Sequence, residues 1–334
     1  MWTRREWIAF TPLALAAAKG APVQSMEIVS LKKIWDQGAH NAFTDLIRFR
    51  NHWYCTFREA EDHVGGDGQL RVIESKDGDT WTSSALLTEA GVDLRDPKLS
   101  ITPDNRLMIV AGGSVHGGTK VLKSRQPRVA FSKDAKAWTK PAPVLGTGDW
   151  LWRVTWHKKR AYGVSYYIGP QGRAAGDWEL RFCESANGSD WQATHKLAVT
   201  GQPNETTLRF LDNGECVAFA RREAEDKQAW IGRSLPPYRD WKWTPCGHQT
   251  GGPNFIILPD GRWVGGGRRY FPDRKHKTEV GALTESGYQP LVSLPSAGDN
   301  SYPGFVWHDN LLWMSYYSSH EGKTSIYLAK LKLS

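Results

Sequence analysis

Cysteine and methionine are both scarce, with four of each among 334 residues. Cys55, Cys183, Cys216 and Cys246 lie far apart, with no paired spacing of the kind that binds zinc or runs redox chemistry. They are too few for a disulfide-built scaffold. Cys55 and Cys216 fall in predicted strands and read as buried thiols. No apolar run approaches the roughly 20 residues a membrane-crossing helix needs. Beyond the first residues, no long segment shows amphipathic-helix periodicity. The formal charge is +8, but the 43 lysines and arginines are scattered. There is no basic tract and no nucleic-acid motif. That charge is better suited to a small acidic substrate or glycan. No metal or cofactor pattern is present.

Tryptophan, by contrast, is abundant, at 17 residues. Most of these indoles read as filling between sheets. The first residues, Met-Trp-Thr-Arg4-Arg5-Glu-Trp-Ile, precede a short apolar and alanine-rich stretch. Residues 1–25 therefore read as an export signal of the twin-arginine type, which places the mature chain, residues 26–334, in the periplasm or outside a bacterial cell.

The rest is repetitive. Gly201–Glu223 reads as a strand, a tight Asp212-Asn213-Gly214 turn and a second strand ending in Arg221-Arg222. Leu258–Gly261 repeats the turn and sets Arg268 at the place of Arg221. Thr102–Asn105 repeats it again and sets Asp96 opposite Glu205. A shorter copy through Arg48–Trp53 ends at Arg58, again at the place of Arg221. Two further copies begin at Trp152 and Tyr302. Six units at a spacing of roughly 50 residues predict an all-β, six-bladed β-propeller. Three later turns, Ser75–Trp81, Ser132–Trp138 and Ser185–Trp191, share Ser-x-Asp/Asn followed by Trp. A short polar side chain there caps backbone N–H groups.

These turns resemble the Asp-boxes of the sialidase superfamily. Asn204-Glu205, the turn and Arg221 resemble the segment that holds that family's catalytic glutamate and second arginine. Arg268, one blade later, resembles the third arginine, and Ser301-Tyr302-Pro303 the segment with the nucleophilic tyrosine. The resemblance covers Ala42 to Leu333. Where the family has Arg-Ile-Pro, this chain reads Ala42-Phe43-Thr44-Asp45, so Arg58 is the first-blade arginine left near the mouth.

The resemblance implies an exo-glycosidase that removes a terminal acidic sugar with retention. Tyr302 would attack the anomeric carbon and Glu205 would take its proton. A residue of the Glu59–Gly68 loop would protonate the leaving oxygen; Asp62, His63 and Asp67 are available and Asp67, nearest the turn, is the choice. Arg58, Arg221 and Arg268 would grip a carboxylate, with Asp96 and His63 on hydroxyls. Arg95, Arg153, Arg222 and Asp299 would crowd the same face. The plainer readings stand beside these. Each arginine could pair within its own loop, as Arg58 with Glu61 or Arg222 with Glu223, and Asp96 could cap a turn before Pro97. Trp150, Trp152 and Trp156 read as packing, with Trp150 or Trp152 a sugar platform. A hydrolase or lyase for a uronic acid, or a lectin-like propeller that binds without turnover, are the alternative functions.

Overall fold

The computed structural model describes residues 21–117, 120–169, 178–273 and 275–334; most of the export segment read at residues 1–25 lies outside them. Six four-stranded antiparallel sheets form the fold. The first blade is β2 (His40–Phe49), β3 (His52–Ala60), β4 (Gln69–Ser75) and β5 (Thr82–Leu87). The second is β6 (Asp93–Ile101), β7 (Leu107–His116), β8 (Leu122–Ser132) and β9 (Ala142–Pro143). The third is β10 (Leu151–His157), β11 (Arg160–Tyr167), β12 (Glu179–Ser185) and β13 (Trp191–Leu197). The fourth is β14 (Pro203–Phe210), β15 (Cys216–Arg222), β16 (Trp230–Ser234) and β17 (Lys242–Pro245). The fifth is β18 (Thr250–Ile257), β19 (Trp263–Arg269), β20 (Lys277–Thr284) and β21 (Gly287–Ser293). The sixth is β22 (Asn300–His308), β23 (Leu311–Ser318) and β24 (Ser325–Leu333), completed by the N-terminal β1 (Met26–Trp35), which pairs with β24 from Met26–Leu333 to Trp35–Ile326. Both ends of the propeller are thus locked into one sheet, so its ring closes by backbone hydrogen bonds. Among the described residues no helix is long and apolar enough to cross a membrane.

Strand alternation gives every blade two apolar faces, and six buried clusters fill the six gaps between blades. Trp53 of the first blade stacks on Trp313 of the sixth at 4.1 Å between ring centroids. All four cysteines are buried and unpaired.

The three serine-containing turns share one geometry. In the first, Ser75 Oγ accepts from Gly78 N at 2.8 Å and Asp77 Oδ1 accepts from Asp79 N and Thr80 N. Trp81 Nε1 donates to Gly78 O. The same bonds recur at Ser132–Trp138 and Ser185–Trp191.

Each first strand of a blade carries a bulge at its start. Pairing breaks between Ala42 and Asp45, Arg95 and Lys98, Leu151 and Val154, Pro203 and Thr206, Gly251 and Asn254, and Ser301 and Gly304. Two residues there face one on the partner strand, which bends the strand and re-aims its side chains. Pro97, Pro253 and Pro303 sit in three of these bulges, where a missing N–H costs no ladder bond.

The bulges also release carbonyl oxygens, and the neighbouring blades answer them. Thr44 Oγ1 donates to Tyr302 O, Asn254 Nδ2 to Pro303 O, Thr207 Oγ1 to Pro253 O, and Lys98 Nζ to Thr44 O. Beneath this ring the axis is closed by a buried ion pair, Arg153 Nη1 to Asp45 Oδ2 at 2.8 Å, and Asp45 also accepts from Leu99 N. Asp45→Ala leaves Arg153 buried without its acid. The expected loss is about 3–5 kcal/mol of unfolding free energy, measured by urea denaturation. An unchanged midpoint would mean that the axial pair contributes nothing.

Candidate active site

The bulges place a set of polar side chains around one cleft of about 330 Å³ on the axis. Glu205 comes from β14, Tyr302 from β22 and Arg221 from the end of β15. Tyr302 Oη donates to Glu205 Oε1 at 2.5 Å. Arg221 Nη1 reaches Glu205 Oε2 at 2.9 Å and Tyr302 Oη at 3.4 Å. Gly252 N donates to Glu205 Oε2 at 2.7 Å. Gly252 has φ +60°, and a Cβ there would fall 2.6 Å from the Tyr302 ring, so only glycine fits this contact. Tyr302 itself is held at φ 54° and Ser301 at φ 95°, conformations that L residues reach only at a cost.

The electrostatics separate the three acidic groups. Burial alone would raise Glu205, but the Arg221 charge and the hydrogen bonds from Tyr302, Arg221 and Gly252 outweigh it and hold the carboxyl below the usual range. Tyr302 is pushed well up by burial and by the adjoining Glu205, so the phenol is neutral at rest. Asp96 is raised, chiefly by burial. It has φ 50°, and its buried Oδ1 has no hydrogen-bond partner among the described residues. Lys98 lies beneath, its ammonium 4.9 Å from the Trp152 ring centroid and 5.7 Å from that of Tyr302, and burial pulls it down to about 8.

The remaining residues divide into those at the cleft and those elsewhere. Asp96, His63, Arg95, Arg125, Trp150 and Tyr166 line it with Glu205 and Tyr302. Arg268 packs with its guanidinium 5.6 Å from the Tyr302 ring centroid and bonds Asp299 Oδ1, Asn300 O and Tyr317 Oη. Trp152 is core packing, edge-on to Tyr302, whereas Trp150 reaches the wall.

Arg58 is not at the cleft. Its side chain is fully buried, with Nε on Asp93 Oδ1 at 2.7 Å and its terminal nitrogens on Asp62 O and Gly65 O. It pairs beside its bulge with Ala42 as Arg222 does with Pro203 and Arg268 with Gly251, so Arg58 and Arg268 are the counterparts of Arg222 rather than Arg221. Asp96, first in its bulge, is level with Asn204 rather than Glu205. Arg222 serves its own loop in the same way, through Asp226 and Gln228 O. Neither takes the acid suggested by its own loop: Arg58 pairs with Asp93, not Glu61, and Glu223 pairs with Arg221. Arg153 lies on the axis below. Asp67 is exposed and away from the cleft, accepting from Gly91 N at 3.4 Å, and Asp62 pairs with Lys120 at the surface. The sequence reading missed Gly252, Arg125 and Tyr166. Only the Gly251-Gly252-Pro253 run, at the place of Asn204-Glu205, signalled a close backbone approach.

No protein-family model matches this sequence, and no curated protein matches it. Solved structures do match. A Dyadobacter fermentans protein of unknown function aligns at TM-score 0.80 and 19% identity, over 93% of this chain and 100% of that one. The fold is that of the sialidase-like six-bladed β-propellers. Trypanosoma rangeli sialidase in complex with the inhibitor DANA aligns at TM-score 0.68 and 11% identity, over 88% of this chain and 55% of that one. The α-L-arabinofuranosidase of Fusarium graminearum in complex with an iminosugar inhibitor aligns at TM-score 0.70 and 14% identity, over 91% of this chain and 97% of that one. At these identities the likeness is one of fold.

The burial of Arg58 gives a test that separates bracing from binding. Arg58→Ala is expected to lower unfolding stability by about 3 kcal/mol, since Asp93 keeps only Arg95. Urea unfolding checks this; an unchanged midpoint would return Arg58 to a ligand-binding role.

Proposed function

We propose that this sialidase-like propeller is a retaining exo-glycosidase acting on a terminal acidic sugar, with Tyr302 as nucleophile. The observation that carries the reading is the 2.5 Å bond from a neutral phenol to a carboxylate held ionised. That pair is poised to pass a proton from Tyr302 to Glu205 as the phenol oxygen attacks the anomeric carbon. The sialidases with a tyrosine nucleophile use the same logic in place of two carboxylates.

The proton for the leaving oxygen comes from Asp96 in this reading, in place of Asp67. Asp96 stands in the cleft wall, its burial favours the protonated form, and its Oδ1 is free to meet a substrate. The glycosidic C–O bond breaks as Asp96 gives up its proton. In the second step Asp96 takes a proton from water, water oxygen bonds the anomeric carbon, and Tyr302 departs with the proton returned by Glu205. The net change is hydrolysis of one bond with two inversions, hence retention.

The anionic group of the substrate is assigned to Arg95 and Arg125. Arg221 and Arg268 already face acids, Glu205 with Glu223 and Asp299. Arg95 shares the single carboxylate of Asp93 with Arg58. Arg125 is braced by Gly148 O and Tyr166 O and forms no ion pair among the described residues. This wall therefore holds the surplus positive charge. With Arg58 withdrawn onto Asp93, the expected trio of Arg58, Arg221 and Arg268 does not converge, which favours a uronic acid or related acid sugar as the second reading. Export to the periplasm or beyond is part of the proposal and rests on residues 1–25.

Release assays on fluorogenic sialosides and uronides test this reading. Tyr302→Phe and Glu205→Gln should each lose about 10²–10⁴-fold in kcat/KM, and unchanged turnover in both would remove the mechanism. Asp96→Asn should lose a similar factor on substrates with poor leaving groups and far less on aryl glycosides that depart without a proton. Equal losses on both classes would deny Asp96 the donor role.

A pH profile gives an independent check. Glu205, faced by Arg221 and Tyr302, must be ionised, and its pKa lies below the ordinary 4.5, so the acid limb of kcat/KM should fall below that pH. Asp96, faced by Arg95, Lys98, Glu205 and His63, must be protonated, and its pKa lies above the ordinary 3.8. Activity should therefore fall as pH rises through the Asp96 value, and Asp96→Asn should flatten that limb.

A further inference from the structure

Beside the cleft, three side chains distant in sequence bring ligand atoms together. His40 stands at the start of β2, His63 in the loop after β3, and Asp299 just before β22. His63 Nδ1 lies 2.6 Å and His40 Nε2 3.2 Å from the same oxygen, Asp299 Oδ2. All three donor atoms fall within 4.8 Å of one another. We propose that His40, His63 and Asp299 form a binding site for a divalent transition-metal ion of the zinc type.

The donor set points to such an ion first. Two imidazoles and one carboxylate oxygen are the ligand types that borderline ions select, and three protein ligands leave a position for an outside ligand. His63 lines the cleft, so that position lies on the substrate side.

The spacing agrees. Ligand atoms about 2.0–2.1 Å from a tetrahedral ion stand roughly 3.3 Å apart. The His40–Asp299 pair already has that separation. The His63–Asp299 pair needs to open by roughly 0.7 Å, and His63 can move, since its side chain is 44% exposed on a loop.

The second oxygen of Asp299 holds the carboxylate in place. Oδ1 accepts from Arg268 Nη2 and from Tyr317 Oη, both at 2.8 Å, which leaves Oδ2 to the imidazoles. Outer partners of this kind orient metal-ligating carboxylates. His40 Nδ1 is buried and has no hydrogen-bond partner among the described residues. The site crosses the seam between the first and sixth blades. A bound ion would tie the His63 loop to the blade that carries Tyr302.

Isothermal titration of the full chain with Zn²⁺ at neutral pH tests this without any substrate, so its failure is separate from failure of the glycosidase reading. One saturable equivalent is expected, with affinity at least 100-fold weaker in His63→Ala. Because the His63 side chain is half-exposed on a loop, that variant keeps the fold, which thermal melting checks. Co²⁺ should give visible absorption of a low-symmetry site in the wild type, and the absorption should be absent in His63→Ala. No stoichiometric binding, or binding equal in the wild type and His63→Ala, would overturn the site and leave the cluster as a hydrogen-bonded brace.

Discussion

The meeting of Asp96, Glu205 and Tyr302 at the cleft depends on the bulges in the first strands of the blades. A regular strand would alternate its side chains between the two faces of its own sheet and point none along the axis. The bulge breaks that alternation once per blade, at the same end each time. It turns Asp96, Glu205 and Tyr302 toward a common centre and frees carbonyls that Thr44, Thr207 and Asn254 of neighbouring blades then bind. One irregularity thus aims the polar groups and couples adjacent blades. The positive φ at Phe43, Asp96, Gly252 and Tyr302 is the backbone cost of that arrangement, carried by interblade packing.

The charge arrangement follows from the same geometry. Lys98, Arg153 and Arg209 stand near the axis with Asp45 as the shared acid, and burial drives Lys98 down to about 8 and Arg209 to about 9. This excess of positive charge lies below the Tyr302–Glu205 pair. Arg221 adds a direct ion pair from the side. A buried carboxylate stays ionised there because several donors and cations offset its desolvation, while the more weakly supported Asp96 is driven toward its neutral form. Opposite shifts of two acids in one cleft favour combining a base with a proton donor.

The sequence made the blades legible because their signals are local. Asn-Gly and Asp-Gly turns, strand alternation and the Ser-to-Trp turns each need only a few neighbouring residues. The grouping of Glu205, Arg221 and Tyr302 at one place followed from aligning the hairpins on their turns. What failed lay beyond the bulges. Counting on from the turn puts Arg58 and Arg268 level with Arg221, but the actual register sets both with Arg222, and the Arg58 guanidinium points into its own loop. Asp67 was chosen for nearness in sequence to a turn, while Asp96 reaches the cleft from the next blade. Gly252 was invisible as a site residue because its contribution is an N–H and an absence of side chain. The His40, His63 and Asp299 grouping spans the seam between the first and last blades, where sequence spacing has no bearing on distance.

In the proposed mechanism Tyr302, brought to Glu205 by two bulges, makes the bond to the sugar. Peptide mapping by mass spectrometry tests that step most directly, after incubation with fluorinated sialoside and uronide analogues. A single glycosyl adduct on Tyr302, absent from Tyr302→Phe, is the predicted result. An adduct on any other residue, or product released with inverted anomeric configuration, would contradict it.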